Sequence, residues 1–408
     1  MKRMILIVFL IGVLARVQLF SCTTAVISGK FTKDHRPLLW KHRDSGFLQN
    51  KLMYFSDGTY DYIGLVNSVD SLGKEVWAGS NSAGFAIMNA ASYNLNIGDT
   101  TKLKDREGVL MKKALQQCAT LQDFEQLLTD WPKPMGIEAN FGVIDARGGA
   151  AYYETGNFTF TKIDANDPSV APFGYIIRTN YSVTGKNNTG YGYIRFRTAS
   201  ELFNQAMAKG EISDRYILQK VDRSLFHSLT GTDLLKKGDK LSDKEDCFVP
   251  FQDYIPRYSS CATFLVHGVR TGQDVRQLTI WTLLGFQLTS VAVPVWIRGA
   301  QSIPSLLRAN EKGVAPLCDL ALKLKERCFP VKRGSGKKYL NLPAVWNQEG
   351  SGILQQLLPV ENQIFHRTDQ FLGRHKKGKI SLKQLQTFYK RLTSLISSGY
   401  KNILSKEE

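Results

Sequence analysis

The chain has 408 residues, of which 43% are hydrophobic, enough apolar material for one large domain or two modest ones. Lys and Arg (53) outnumber Asp and Glu (36), so the formal net charge is +17. A basic surface attracts nucleic acids and anionic lipids, but the sequence has no zinc-finger spacing, RNA-binding aromatic signature or basic-region heptad. We therefore predict no nucleic-acid partner and interpret the charge as a solvated basic surface.

Residues 1–21 have the pattern of a targeting segment. Lys2 and Arg3 precede an apolar run at 4–15, which is shorter than the roughly 20 residues that a membrane helix needs. Ser21 is small enough to stand before a cleavage point, although the residues before it depart from the usual small-x-small pattern. We predict a signal peptide at 1–21, a periplasmic or secreted protein, and no transmembrane span.

Beyond residue 22, short strand-type runs alternate with turn signals. The sequence predicts strands at 23–28, 38–44, 62–67, 76–78, 85–88, 141–145 and 150–154, the last two joined by a hairpin turn at 147–149. Between them, the apolar period of residues 107–128 is typical of helices, with Thr120 as a cap. Spacing of this kind favours antiparallel sheets.

The second half of the chain repeats the alternation. Residues 193–230 have a helical pattern, residues 261–297 a strand pattern, and the last hundred or so are mostly helical. Blocks of strands followed by blocks of helices predict an α+β fold, specifically a layered αββα domain. We place the main domain at 22–330 and a basic helical segment at 331–408, either packed on the same core or forming a separate domain.

The six cysteines show no CxxC pair, so zinc and thioredoxin-type chemistry are not expected. Export permits disulfides, and a bond between Cys318 and Cys328 stays open. The common elbow, zinc-protease, Walker and dinucleotide motifs are absent from the sequence. We therefore predict no metal and no organic cofactor.

Cys22 is the one position where a nucleophile and its base can coincide. A free thiol is mostly protonated at neutral pH and needs a nearby base. If processing leaves Cys22 first in the chain, its own α-amine, with a reference pKa of about 7.7–8.0, can take the proton. Cleavage after Ala15 would instead require a second, self-processing cut before Cys22.

Five segments, the first of which begins at Cys22, resemble the motifs of a known enzyme family. They are 22–26 (CTTAV) with 38–46 (LLWKHRDSG), 81–89 (NSAGFAIMN), 141–146 with 151–154, 178–181 (RTNY) and 193–197 (YIRFR). In this order the motifs resemble those of the choloylglycine hydrolase and penicillin acyltransferase group of N-terminal-nucleophile enzymes. The resemblance runs from Cys22 to about Trp296, roughly two-thirds of the chain. It implies the four-layer αββα sandwich of that group and an amide-cleaving activity.

The resemblance also implies roles for single residues. Cys22 matches the nucleophile, and Asp44 matches the aspartate that orients its amine and thiol. Asn89 matches the oxyanion donor, and Asn180 the second asparagine near the reacting carbonyl; amides suit this role because they stabilise an oxyanion without titrating. Arg195 matches the arginine that braces the site, where its fixed charge favours the thiolate.

Two departures from the family pattern affect the site and the substrate. The arginine that the group carries three residues before its aspartate is replaced by Lys41, and Arg43 adjoins Asp44. Either could face the thiol, and Arg43 is our choice. The short spacing between Asn180 and Arg195 indicates that a loop of the bile-salt hydrolases is missing, which makes bile salts a poor substrate prediction.

The family resemblance implies small-molecule N-acyl amides as substrates: N-acyl amino acids, acylated amines, penicillin V-like compounds or bile-acid conjugates. Two interpretations of another class stay open. Residues 19–22 partly fit the lipidation pattern, so Cys22 could anchor a non-catalytic, ligand-binding lipoprotein. The chain could also be a basic, anion-binding exported module that keeps the fold without activity.

Overall fold

The computed structural model describes residues 21–374 and 380–405, so the predicted signal peptide lies outside it except for Ser21. The strands are β1 Thr23–Ile27, β2 Leu38–Asp44, β3 Asn50–Phe55, β4 Tyr62–Asn67, β5 Ala78–Asn81, β6 Ala86–Ala91, β7 Ala139–Ile144, β8 Ala150–Thr155, β9 Phe160–Asp164, β10 Tyr175–Arg178, β11 Phe226–His227, β12 Thr232–Asp233, β13 Phe248–Pro250, β14 Ser260–His267, β15 Thr279–Leu284, β16 Val293–Val295 and β17 Tyr339–Asn341. The helices are α1 Glu107–Gln117, α2 Leu121–Asp130, α3 Tyr193–Lys209, α4 Asp214–Tyr216, α5 Leu234–Gly238, α6 Pro316–Cys328, α7 Leu342–Val345, α8 Ile353–Arg374 and α9 Leu382–Leu404.

Two antiparallel sheets form the centre of the molecule. Sheet A has the strand order β10-β1-β2-β14-β15-β16, and sheet B runs in sequence order from β3 to β9. The sheets face each other, with β2 against β6 and β1 against β7 and β8. Strands β1 and β2 are buried along their whole length, as strands are when both faces of their sheet are covered.

Helices cover the outer faces of both sheets. On sheet B, α1 and α2 enclose an apolar cluster that includes Leu110, Leu115 and Phe124. On sheet A, α3 packs on β10 and α6 on β15, while α8 and α9 contribute to the same apolar cluster as the sheet A strands. The layers are therefore helix, sheet, sheet, helix, and the predicted αββα sandwich is confirmed.

Local side-chain chemistry explains several of the predicted boundaries. Thr120 caps α2 in a reciprocal pair with Asp123, which confirms the predicted cap. In the turn between β5 and β6, the side-chain oxygen of Asn81 accepts from the backbone N–H groups of Ala83 and Phe85. Gly84 in this turn has φ +83°, a conformation that glycine adopts without strain.

The structure corrects the sequence analysis in three places. Strands β3, β9 and β10 were not predicted. In β3 the pattern is obscured because the strand begins with the polar pair Asn50 and Lys51, which the fold buries. In the region 193–230 only α3 is a long helix; short helical turns and strand β11 follow it. Cys318 and Cys328 do not pair: both lie on α6, about 15 Å apart along its axis, and all six cysteines are free.

The C-terminal helices share the core of sheet A. Glu361 of α8 accepts from both terminal nitrogens of Arg223 at 2.6 Å, and its Oε2 also accepts from the backbone N–H of Ala292 at 2.7 Å. Both side chains are almost fully buried. Among the described helices, none is long and apolar enough to cross a bilayer.

Candidate active site

Cys22 lies immediately before β1, at the end of sheet A where this strand begins. Because neighbouring strands are antiparallel, β2 ends there at Asp44 and β14 begins there at Ser260. The Cys22 side chain is 5% exposed, and its Sγ lies 4.0 Å from the backbone oxygen of Asp44. The sheet topology thus brings residues separated by more than 200 positions to one thiol.

Arg195, in the first turn of α3, holds the backbone around Cys22. Its Nη1 donates to the Cys22 carbonyl at 2.6 Å and to Thr23 Oγ1 at 2.8 Å. Its Nη2 donates to Asn180 Oδ1 at 2.8 Å and to Ser21 Oγ at 3.1 Å. Burial lowers the pKa of Arg195 to about 10, and the charge of Cys22 opposes that shift.

Asp44 is held by two groups that the sequence analysis did not single out. Ser260 Oγ donates to its Oδ1 at 2.5 Å, and Arg257 forms an ion pair with its Oδ2. Arg257 also donates to the carbonyl of Ser21 at 2.7 Å, next to the proposed cleavage point. Burial lowers the pKa of Arg257 to about 10, again opposed by the charge of Cys22. Arg257 lies in a loop without a motif, so no local pattern marks it in the sequence.

Lys41 and Asn89 form a pair across the gap between the sheets. Lys41 Nζ donates to Asn89 Oδ1 at 2.6 Å and to the carbonyl of Trp77 at 2.7 Å. Because an ammonium group only donates, it must face the oxygen of the Asn89 amide, which leaves the amide nitrogen as the donor end. Burial lowers the pKa of Lys41 to about 8, and the largest opposing influence is the charge of Cys22.

Arg43 lies on the same strand but has different contacts. Its Nη1 donates to Asn50 Oδ1 at 2.6 Å and its Nη2 to Asn67 Oδ1 at 3.0 Å. Nη1 also lies 3.5 Å from the sulfur of Cys261, and the guanidinium stacks over the Trp77 ring. These contacts tie Arg43 to sheet B and to Cys261, whereas Lys41 has Cys22 as a charge partner.

Asn180 follows β10, at the same end of sheet A as Cys22, and is fully buried. Its Oδ1 faces the donor-only guanidinium of Arg195, so the orientation of its amide is fixed. Its Nδ2 donates to the carbonyl of Ala91 at 2.9 Å, at the end of β6. Asn180 thereby joins α3 to the strand that carries Asn89.

Three cations, Lys41, Arg195 and Arg257, have Cys22 as a charge partner. Within residues 21–374 and 380–405, no group of three His, Cys, Asp or Glu side chains is arranged to hold a metal ion.

No protein-family model matches the chain, and no curated protein resembles it significantly in sequence. Weak structural likenesses exist to a Caenorhabditis elegans N-acylethanolamine-hydrolyzing acid amidase ortholog (14% identity, 47% of this chain and 86% of that chain, TM-score 0.35). A second is to penicillin V acylase from Agrobacterium tumefaciens (12% identity, 68% of this chain and 86% of that chain, TM-score 0.38). A third is to a mutant conjugated bile acid hydrolase from Clostridium perfringens (10% identity, 68% of this chain and 92% of that chain, TM-score 0.39). These similarities are too low to assign a function to the chain.

Proposed function

We propose that the chain is an exported amidohydrolase of the N-terminal-nucleophile type, in which Cys22 becomes the first residue and attacks a linear carbon–nitrogen amide bond. The observation that carries this proposal is the position of Cys22 immediately before β1, with its Sγ 4.0 Å from the backbone oxygen of Asp44, its carbonyl held by Arg195, and Arg257 bound to the carbonyl of the preceding Ser21.

The reaction begins when the α-amine of mature Cys22 accepts the proton of its own thiol, with Asp44 accepting a hydrogen bond from the resulting ammonium. The sulfur adds to the amide carbonyl, and the Asn89 amide nitrogen donates to the oxyanion. Collapse of this intermediate breaks the C–N bond, transfers the ammonium proton to the leaving amine and leaves a thioester on Cys22. Water or an acceptor amine then removes the acyl group.

The substrate class follows from this chemistry and from the motif resemblance. A linear N-acyl amide supplies both the carbonyl for Cys22 and an amine that leaves after protonation. N-acyl amino acids, acylated amines and penicillin V-like amides fit; bile-acid conjugates fit less well because of the short segment between Asn180 and Arg195. A lipid on the amine or sulfur of Cys22 would block every step, so a surface lipoprotein is the second candidate.

A panel of acyl amides tests the function directly. The exported protein is incubated with amides that vary in acyl chain and in amine, and release of the free amine is measured. We expect turnover of at least one class of linear amide, and labelling of Cys22 by a thiol-reactive acyl probe. A protein that hydrolyses none of the panel and does not take up the probe would contradict the proposal.

Asn89→Ala is expected to lower kcat by about 10²–10³-fold, because one donor to the oxyanion is lost. Steady-state kinetics on the best amide of the panel checks this. The matched control is Asn157→Ala, which removes another buried side-chain amide. The Asn157 oxygen accepts hydrogen bonds from the backbone N–H groups of Gly136 and Ile137. We expect the control to affect stability and to leave kcat near the wild-type value; equal losses in both variants would argue against an oxyanion role.

Lys41→Met is expected to slow alkylation of Cys22 by iodoacetamide at neutral pH by about tenfold, because a nearby cation that favours the thiolate is removed. Lys41→Arg should retain most of the rate. Since Lys41 has a pKa of about 8, its charge is present below that pH and is lost as pH rises through it, so the difference between variants should shrink in alkaline solution. Lys51→Met, another buried lysine, on β3, is the control; an equal effect there would refute the specific role of Lys41.

A further inference from the structure

A chain of buried polar side chains leads from Asp44 into the layer beneath sheet A. Ser260 Oγ lies 2.5 Å from Asp44 Oδ1 and 2.9 Å from His42 Nε2. His42 Nδ1 lies 2.9 Å from Asp222 Oδ1. All four side chains are at most 1% exposed, so this network has no access to bulk water through its own members.

Asp222 accepts hydrogen bonds at the far end of the chain. The Trp40 indole N–H donates to its Oδ1 at 3.0 Å, and the Thr263 hydroxyl donates to its Oδ2 at 2.7 Å. Because an indole nitrogen only donates, and the Thr263 hydroxyl donates as well, both carboxyl oxygens of Asp222 act as acceptors. His42 Nδ1 therefore carries a hydrogen and donates it to Asp222.

A neutral imidazole and a free carboxylate would leave one of the two contacts at Ser260 without a hydrogen. The Ser260 oxygen accepts from the backbone N–H of Arg257 at 2.8 Å. Its single hydroxyl hydrogen can go to Asp44 or to His42, but not to both. With only that hydrogen available, one of the two short contacts would place two acceptors against each other.

We propose that Asp44, Ser260 and His42 share one exchangeable proton, and that Ser260 and His42 are thereby positioning residues that set the charge on Asp44. In the first arrangement, His42 is protonated on both nitrogens, Nε2 donates to Ser260, and the Ser260 hydroxyl donates to the Asp44 carboxylate. In the second, Asp44 is protonated and donates to Ser260, which donates to Nε2 of neutral His42. One proton leaves Nε2 and one arrives at Asp44 Oδ1, so the total charge is unchanged.

The charges around His42 decide when the shared proton is lost. Asp222 and Asp44 face it and favour the protonated form, while Arg257 and Arg195 oppose it. Burial is the largest influence and lowers the pKa of His42. Once the shared proton is lost, Asp44 is a carboxylate and Ser260 keeps only one of its two contacts.

The inference rests on the proposed function for its catalytic meaning. In the proposed mechanism Asp44 accepts a hydrogen bond from the mature amine, so its charge influences whether that amine is held as an ammonium or as a free base. A neutral Asp44 favours the free base that takes the thiol proton, and an Asp44 carboxylate favours the ammonium that results. The network would then contribute an ionisation to the pH profile of catalysis that does not belong to the amine itself.

Two-bond ¹H–¹⁵N correlation spectra of the full exported protein, labelled with ¹⁵N-histidine, report the protonation of both ring nitrogens of His42. The spectra are recorded between about pH 5 and 9, with His42→Gln used for assignment. We expect Nδ1 to stay protonated throughout and Nε2 to titrate. Ser260→Ala should move that titration to lower pH by about one unit or more, because the protonated ring loses its acceptor; Ser260→Thr should restore it.

The pH profile of kcat/KM is the second measurement, with Thr282→Val as the control. Thr282 is a buried hydroxyl on β15 without a hydrogen-bond partner among the described residues. We expect one ionisation in the profile to shift in Ser260→Ala and none in Thr282→Val. An unchanged midpoint in Ser260→Ala would overturn the shared proton, and so would an unprotonated Nε2 together with an Asp44 carboxyl ¹³C shift typical of a carboxylate across the whole range. Because the spectra need no turnover, an inactive protein with a titrating Nε2 would overturn the proposed function and leave this inference standing.

Discussion

Cys22→Ala is expected to abolish amide turnover, lowering kcat by at least about 10³-fold, since a covalent mechanism has no alternative route without its nucleophile. The fold should survive, because the substitution removes only one sulfur atom from a side chain that packs at a strand end. Kinetics on the best amide of the panel and a thermal unfolding curve measure the two effects separately.

Two variants sharpen that result. Cys22→Ser keeps a hydroxyl in place and should still lose most turnover, because an alcohol is a far weaker nucleophile than a thiolate. Cys118→Ala removes another buried thiol, in the apolar cluster under α1 and α2, and should leave kcat unchanged. Full amidase activity in Cys22→Ala would show that another residue performs the attack.

Glu361→Ala is expected to lower the free energy of unfolding by about 3–5 kcal/mol, the largest stability effect that we predict. The substitution removes both oxygens that pair with the buried Arg223 guanidinium and leaves that charge without a counterion. It also removes the acceptor of the Ala292 backbone N–H. Urea unfolding followed by circular dichroism gives the change in the midpoint.

Asp369→Ala is the matched control on the same helix. Asp369 pairs with Arg215 at the surface, where its side chain is 55% exposed. Solvent-exposed ion pairs contribute about 0–1 kcal/mol, so the control should unfold close to the wild-type midpoint. Similar losses in the two variants would mean that α8 is not anchored through Glu361.

Local sequence patterns were sufficient for the residues that lie on or beside motifs. Cys22, Asp44 and Asn89 stand in or next to strands whose apolar runs and turn residues mark them in the sequence, and the structure brings all three to one region. The αββα layering was predictable for the same reason, because alternating strand and helix blocks limit how apolar faces can be covered. The catalytic roles of these residues stay predictions.

The partners of Asp44 were not predictable from local patterns. Arg257 and Ser260 are more than 200 positions away in the sequence, and they reach Asp44 only because β14 pairs with β2. A register shift between Ser260 and Ala262 turns the Ser260 hydroxyl toward the carboxylate. Such a contact depends on tertiary pairing, for which one sequence provides no pattern.

The choice between Lys41 and Arg43 shows a limit of another kind. Both residues are basic, two positions apart on β2, and therefore on the same face of the strand. Sequence spacing alone cannot separate them. The separation comes from sheet B, where Asn50 and Asn67 engage Arg43 while Asn89 engages Lys41. These contacts favour Lys41 over Arg43 as the cation beside the thiol, and the choice between them stays a prediction.

Peptide mapping of the exported protein by mass spectrometry tests most directly whether one residue supplies both the sulfur and the base. We expect the first residue to be Cys22, with a free amine and an unmodified thiol, and an acyl adduct on that same cysteine after brief exposure to an amide substrate. A chain that starts at any other residue, or a Cys22 that carries a lipid, would contradict the mechanism.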